Sequence, residues 1–377
     1  MTSRERVRAA LSRSEPDRVP VDLGTPVSSI HREAYAALRA HLGLPRRELA
    51  ILDRMQQIAV IDEDVLERFQ ADTRQLVLSP ARAWQSAGEG EYVDEWGVRF
   101  RAASGGRYFD MVGHPLAHAS LRDLDRHPWP DPEDPARFVG LQERARRLHE
   151  ETDRAVVLNG FGEALFGLPS WVRGHERFYL DLAEGSPMAE ALLDRFLDYA
   201  LRLATRALEL VGPYVDVVRV ADDLGTELGP IVSPRLYRAL IKPRQRKLYE
   251  RIKSRSHASL LLHSCGSVRE LIQDFVDIGV DALNPVQLSA RGMDSAALKR
   301  DFGARICFWG GGCDTQRVLP FGTVSEVRAE VQRRVRELAP GGGYVFCAVH
   351  NIQFDVAPQK IVTLYDTARE VGAYPMP

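Results

Sequence analysis

Short apolar runs alternate along the chain with longer stretches whose apolar residues recur every three or four positions. Six of the runs are Ala155-Val-Val-Leu158, Val215-Asp-Val-Val-Arg-Val220, Ala258-Ser-Leu-Leu-Leu262, Val280-Asp-Ala-Leu283, Ile306-Cys-Phe-Trp309 and Tyr344-Val-Phe346. Each is short and largely apolar, which predicts parallel strands covered on both faces. Arg18-Val-Pro-Val-Asp-Leu23 and Arg74-Gln-Leu-Val-Leu78 add two candidate strands upstream. The stretches between read as helices with identifiable ends. Ser186-Pro187 opens one that carries Leu192, Phe196, Leu203 and Leu210 and stops at Gly212-Pro213. Ser233-Pro234 opens another, interrupted or kinked by Pro243. Thr323-x-x-Glu326 is a capping box, followed by Val324, Val327, Val331, Val335 and Leu338 as one buried stripe. Ala357-Pro358 starts a terminal helix with Ile361, Leu364 and Ala368. Eight strands with helical crossovers predict a TIM (β/α)8 barrel rather than an open doubly wound sheet.

Two segments fall outside this alternation. Glu91–Arg101 and Gly106–Asp110 flank Ser104-Gly105 and read as a small antiparallel hairpin. His127-Pro-Trp-Pro-Asp-Pro-Glu-Asp-Pro135 is too proline-rich for helix or central strand and reads as a rigid surface connection, between domains or within one. The expected organisation is a single barrel over residues 1–377. Residues 1–70 form an N-terminal helical extension and the first strand, and residues 83–136 form the hairpin and Pro-rich insertion.

Composition narrows the function. Fifty Lys+Arg against 52 Asp+Glu give a net charge of −2, so no global basic field exists to hold nucleic acid or an anionic membrane. No run approaches the ~18 apolar residues of a membrane span. The charged start, Met1-Thr-Ser-Arg-Glu-Arg-Val, lacks a signal-peptide centre, and four cysteines are too few for a disulfide framework. The expectation is a cytoplasmic protein with reduced thiols.

Polar residues and glycines collect directly after the strands: Asp222-Asp223-Leu-Gly225, His263-Ser-Cys265-Gly266, Asn284-Pro-Val-Gln287, Gly310-Gly-Gly-Cys-Asp314 and Cys347-Ala-Val-His350-Asn351. In a barrel these positions share the C-terminal rim, where active sites form. His263 and Cys265 stand two apart, so on a strand they point to one face. A nitrogen and a sulfur ligand together suit Zn²⁺, and a catalytic zinc needs about three protein ligands. Cys347 and His350 are the candidates for the third. Alternation along the last strand puts Val345, Cys347 and Val349 on the helix-facing side and Tyr344, Phe346, Ala348 and His350 toward the barrel, which favours His350. Cys313 reads as a small loop residue. Asp222 and Asp223 are candidate acid–base or metal-orienting groups. Asn284, Gln287, Asn351 and Gln353 are candidate substrate hydrogen-bonding groups. Gly310–Gly312 suggests close backbone approach to a ligand rather than a phosphate cradle.

At these residues the chain resembles the uroporphyrinogen decarboxylase superfamily. The matching pieces are Asp17-Arg18-Val19-Pro20-Val21, Asp94-Glu95-Trp96-Gly97, Asp222-Asp223-Leu224-Gly225, Ser233-Pro234, His263-Ser-Cys-Gly266, Gly279-Val-Asp-Ala-Leu-Asn-Pro-Val-Gln287, Gly310-Gly-Gly-Cys-Asp314 and Pro340-Gly-Gly-Gly-Tyr344. The resemblance implies a TIM barrel with its site at the C-terminal rim. It also implies one of two activities: cofactor-free decarboxylation of uroporphyrinogen acetate arms, or zinc-dependent methyl transfer to or from a corrinoid protein. The decarboxylases carry a Met-Arg-Gln-Ala-Gly-Arg motif that binds the porphyrinogen carboxylates. Here the nearest fragment, Asp53-Arg54-Met55-Gln56-Gln57, lacks the Gly-Arg part. The methyltransferases share the H-x-C element, here His263 and Cys265. Their third zinc ligand, a Cys near the end of the last strand, corresponds to His350, with Cys347 three residues earlier. The expected function is therefore zinc-dependent methyl transfer between a small substrate and a corrinoid supplied by a partner protein. The alternatives are decarboxylation of a tetrapyrrole or smaller carboxylate, and non-catalytic binding of a corrinoid or tetrapyrrole.

Overall fold

The computed structural model describes residues 1–81 and 85–376. Seven parallel strands form one curled sheet: β1 (Thr73–Val77), β2 (Ala155–Phe161), β3 (Val217–Ala221), β4 (Ser259–His263), β5 (Ala282–Asn284), β6 (Cys307–Trp309) and β7 (Tyr344–Val345), neighbours in that order. The eighth stave is the 18–23 segment. Val21 bridges Phe346 in parallel beyond β7, through Phe346 N–H to Pro20 O and Asp22 N–H to Phe346 O, both 2.8 Å. On its other side Asp72 N–H donates to Val21 O at 2.7 Å, next to β1. Pro20 has no N–H to give a ladder, so this stave closes the barrel by bridges rather than as a regular strand. The architecture is thus the expected TIM-type α/β barrel.

The helices that matter to the site and its frame are α1 (Ser3–Leu11), α2 (Gly167–Arg173), α3 (Pro187–Val211), α4 (Lys242–Arg255), α5 (Val324–Leu338) and α6 (Pro358–Val371), with others between. Their caps follow the expected signals. The Ser186 side chain accepts from Met188 N–H, and Thr323 and Glu326 form a reciprocal capping box. The interruption expected at Pro243 is a π turn over Tyr237–Ile241, which absorbs the hydrogen bond that proline cannot donate.

Strand alternation divides the core into two layers. Ala155, Val157, Val217, Leu261, Ala282, Cys307, Trp309, Val345 and Cys347 face inward, where Val7, Ala10 and Leu11 of α1 close the lower mouth. Val156, Leu158, Val218, Leu260, Leu262, Phe308, Tyr344 and Phe346 face the outer helices. This reverses the sidedness expected for the last strand: Val345 and Cys347 point in, while Phe346 packs on Tyr365 of α6 with ring centroids 6.1 Å apart. The apolar triplet of Val345, Cys347 and Val349 was compatible with either layer, because this barrel's lower interior is itself apolar. Among the described residues no helix is long and apolar enough to cross a membrane.

The expected hairpin is part of a four-stranded antiparallel sheet, Gln85–Gly88, Glu91–Val93, Arg99–Ala102 and Phe109–Gly113; residue 83, the expected start of the insertion, lies outside the described residues. The run 91–101 is two strands, folded back at Asp94, whose Oδ1 accepts Trp96 and Val98 N–H, both at 2.9 Å. Burial pushes this carboxyl up to about 6. The native state therefore keeps its proton longer than the unfolded chain, and this group's contribution to stability is lost as pH rises from about 4 to about 6. Asp94→Asn keeps an acceptor for both N–H groups. Its unfolding free energy, followed by urea denaturation across that window, is expected to gain on wild type as pH rises; parallel curves would contradict this.

Candidate metal centre

Three side chains from different rim segments converge. His263 ends β4, Cys265 follows two residues later, and His350 lies in the loop after β7. One ligand atom from each lies within 4.8 Å of the other two. Sγ of Cys265 is 3.3 Å from Nε2 of His263, and the His263 and His350 rings are 5.5 Å apart. Bond lengths of about 2.1 Å to nitrogen and 2.3 Å to sulfur at a tetrahedral ion give an N···S edge of about 3.6 Å, close to that observed. Cys347 is not part of the trio. It lies in the inner apolar layer, with its sulfur 4.0 Å from Nδ2 of Asn284, and burial pushes its thiol well up. Regular strand pairing ends at Val345, so the loop carries His350 to the rim although the strand alternation runs opposite to that expected.

The strand register sets the imidazole's tautomer. His263 pairs with Asn284 across the β4–β5 ladder. Nδ2 of Asn284 donates to Trp309 O at 2.9 Å, so its Oδ1 faces Nδ1 of His263, 2.5 Å away. Nδ1 is therefore the protonated nitrogen, and the Nε2 lone pair is presented to Cys265 and His350, the arrangement of a metal-ligating histidine with an oriented outer partner. Burial drops His263 to about 4, with His350 and Arg219 adding to the effect. Burial also lowers His350 and pushes the Cys265 thiol up, helped by Asp223 and Glu163. Asp223 supports the trio: its Oδ1 accepts Cys265 N–H at 2.8 Å and lies 3.8 Å from Nε2 of His263.

The other expected site residues are placed differently. Asp222 turns away from the rim opening. It accepts Leu165 N–H (2.9 Å), Phe166 N–H (2.7 Å) and Gln245 Nε2 (3.0 Å), so it anchors the loop before α2; burial pushes it up to about 6. Asn284 orients His263 and does not line the cavity. Gln287 accepts Gly266 N–H and donates to Glu227. Asn351 accepts Ser29 N–H and donates to Pro26 O, and Gln353 donates to Asn351 O. Each of these amides bonds its own protein and braces a rim loop. The Gly311 and Gly312 positions are pressed against Val286 and Phe346, where a Cβ would fall 2.7 and 2.3 Å from side-chain carbons. The close approach at these two glycines is to protein.

A cavity of about 350 Å³ opens beside the trio, with His263, His350, Asp223, Arg219, Glu163 and Asp53 on its walls. Arg219 and Glu163 escaped the sequence reading, and Asp53 entered it only within the 53–57 motif fragment. Arg219 was counted within an apolar strand run, although its parity with Val217 and Ala221 aims it inward. Glu163 follows β2 just as the recognised polar clusters follow their strands. Its backbone is left-handed (φ +55°), after a register slip between Asn159 and Phe161 that re-aims the segment. Burial, with Asp223 and Asp222 beside it, pushes the Glu163 carboxyl well up.

Comparison with known proteins places the chain in a family. A family model described as Uroporphyrinogen decarboxylase (URO-D) matches residues 106–371, so the chain belongs to the uroporphyrinogen decarboxylase family of enzymes. A uroporphyrinogen decarboxylase from Alkalilimnicola ehrlichii is 24% identical over 375 residues, covering 98% of this chain and 94% of that protein. A solved methyltransferase from Methanosarcina mazei shares the fold, with a TM-score of 0.65 and 20% identity over 98% of this chain and 99% of that one.

Proposed function

We propose that this protein is a zinc-dependent methyltransferase, moving a methyl group between a small substrate and a corrinoid held by a partner protein in the cytoplasm. The observation that carries the reading is the convergence of His263, Cys265 and His350 on one point at the cavity wall. Two neutral imidazoles and a thiol form a donor set suited to Zn²⁺, and three protein ligands leave a position open for substrate. A bound zinc would supply Lewis acidity toward the substrate heteroatom that carries or receives the methyl group. Asn284 holds His263 in the ligating tautomer, and Asp223 fixes the Cys265 backbone. The apolar walls around them, including Phe166, Trp171 and Ile231, exclude water and strengthen the electrostatics inside. The open rim is where a cobalt-bearing partner would dock.

Decarboxylation is the second reading, supported by the Alkalilimnicola relative. The cavity argues against a polycarboxylate such as uroporphyrinogen. Among its described lining residues one guanidinium, Arg219, stands against the carboxyl groups of Asp53, Glu163 and Asp223.

Elemental analysis of protein purified without added metal tests the proposal. Stoichiometric zinc is expected, and His263→Ala or Cys265→Ala should reduce it to background while the fold persists by circular dichroism. Metal-free wild-type protein, or zinc retained in His263→Ala, would end the reading; CO₂ release from a carboxylic acid by metal-free protein would replace it with the second.

A further inference from the structure

Arg219 sits inside the barrel with only 8% of its surface exposed. Its Nε donates to Oδ1 of Asn159 at 2.8 Å, and Asn159 is itself fixed by donation to Val157 O. That leaves the guanidinium's Nη edge, four N–H bonds, without a hydrogen bond or ion pair among the described residues. The edge borders the cavity beside Gly162, where a Cβ would lie 3.5 Å from Nη2. A guanidinium stays charged in a protein, and a buried charge without a partner is costly.

We propose that Arg219 is a carboxylate-binding subsite, and that the substrate is a small monocarboxylate whose acid group pairs with the Nη edge while its reacting atom faces His263, Cys265 and His350. The inference rests on the methyltransferase reading for the reaction but not for the binding. Two parallel N–H bonds match the two oxygens of a planar carboxylate. One guanidinium balances one negative charge; a phosphate dianion would leave a second charge uncompensated near Asp223.

Among the described residues no acid around Arg219 comes within ion-pair distance of it; Asp223, which favours its charge from farther off, accepts Cys265 N–H instead. Asp22 is bonded by Thr73, Trp309 and Thr25, and Asp53 by Gln56. Burial raises Asp22, Asp53 and Glu163 toward their neutral forms. A protonated Glu163 would present an O–H to the ligand where a charged one would repel it. Its placement is built in: the left-handed backbone aims it, and a Cβ at Gly167 would fall 2.1 Å from its Oε2, so glycine there makes room for the carboxyl. Val27, Met55 and Trp171 supply apolar wall for the substrate's hydrocarbon body.

Calorimetric titration of the protein as purified with benzoate and with neutral benzamide tests this. Benzoate is expected to bind at least about tenfold more tightly, the scale of charge-assisted hydrogen bonds. Arg219→Gln should erase that preference with its zinc content unchanged. His263→Ala should lose zinc and keep the preference, which separates this subsite from binding at the metal. If Arg219→Gln does not fold, phenylglyoxal labelling of wild-type Arg219, read by peptide mass spectrometry, gives the same answer: benzoate should slow it and benzamide should not. Equal binding of the two probes, no binding of benzoate, or a preference that survives in folded Arg219→Gln would overturn the proposal.

Discussion

Gly266→Ala is expected to lower the melting temperature and release metal together. Gly266 adopts φ +86°, a region that costs an alanine about 1 kcal/mol or more. The larger effect is steric. A Cβ there would lie 2.4 Å from the Gly225 carbonyl carbon and 2.5 Å from its oxygen, and a Cβ on Gly225 would lie 2.6 Å from Cys265 O. These are backbone atoms that cannot rotate away, so the loops after β3 and β4 must separate. Gly225 N–H bonds Cys265 O at 3.1 Å across this contact, and the Cys265 sulfur 3.3 Å from His263 depends on it. Strain and overpacking together are expected to cost roughly 3 kcal/mol or more. Gly341→Ala is the control: its φ is +75° but nothing lies within 4 Å of the added Cβ, so it should show only the conformational cost. Thermal unfolding with elemental analysis checks both. Wild-type melting and full zinc in Gly266→Ala would contradict the argument.

The contrast between those two glycines shows what the sequence could convey. Both stand in glycine-containing segments after or before a strand, and nothing in their local sequence separates a pressed glycine from a free one. Features set by nearest neighbours in the chain were legible. The caps at Ser186 and Thr323 and the strand runs depend on local chemistry and period. The His263–Cys265 pair needed only the two-residue repeat of a strand, and the structure brings the two atoms together. Features set by contacts across the barrel were not legible. The facing of Cys347 was misread because the alternation of Val345, Cys347 and Val349 does not say which of two apolar layers is the inner one. The amides Asn284, Gln287, Asn351 and Gln353 each bond a neighbouring strand or loop, contacts that their local sequence does not encode. Arg219 was overlooked for the complementary reason: an apolar run hid the one residue whose inward parity carries a charge.

Asp222→Ala should be the most damaging change near the site that leaves every cavity-lining residue in place. The carboxylate accepts two backbone N–H groups of the loop before α2 and the Gln245 amide from α4. Deleting it strands three buried donors at about 1–3 kcal/mol each, a loss on the order of 3–5 kcal/mol once the loop relaxes. That is a large share of the stability of an ordinary domain. Asp222→Asn separates charge from hydrogen bonding. Its amide oxygen can still accept from Leu165 and Phe166, while its NH₂ faces Nε2 of Gln245, donor against donor. Gln245 can resolve this by flipping, because its Oε1 partner, the Tyr237 hydroxyl at 2.8 Å, accepts as readily as it donates. The asparagine variant is therefore expected to lose about 1 kcal/mol, and the alanine variant several times that, in urea unfolding near neutral pH. A catalytic role for Asp222 predicts the opposite order of effects: both variants inactive, with stability close to wild type.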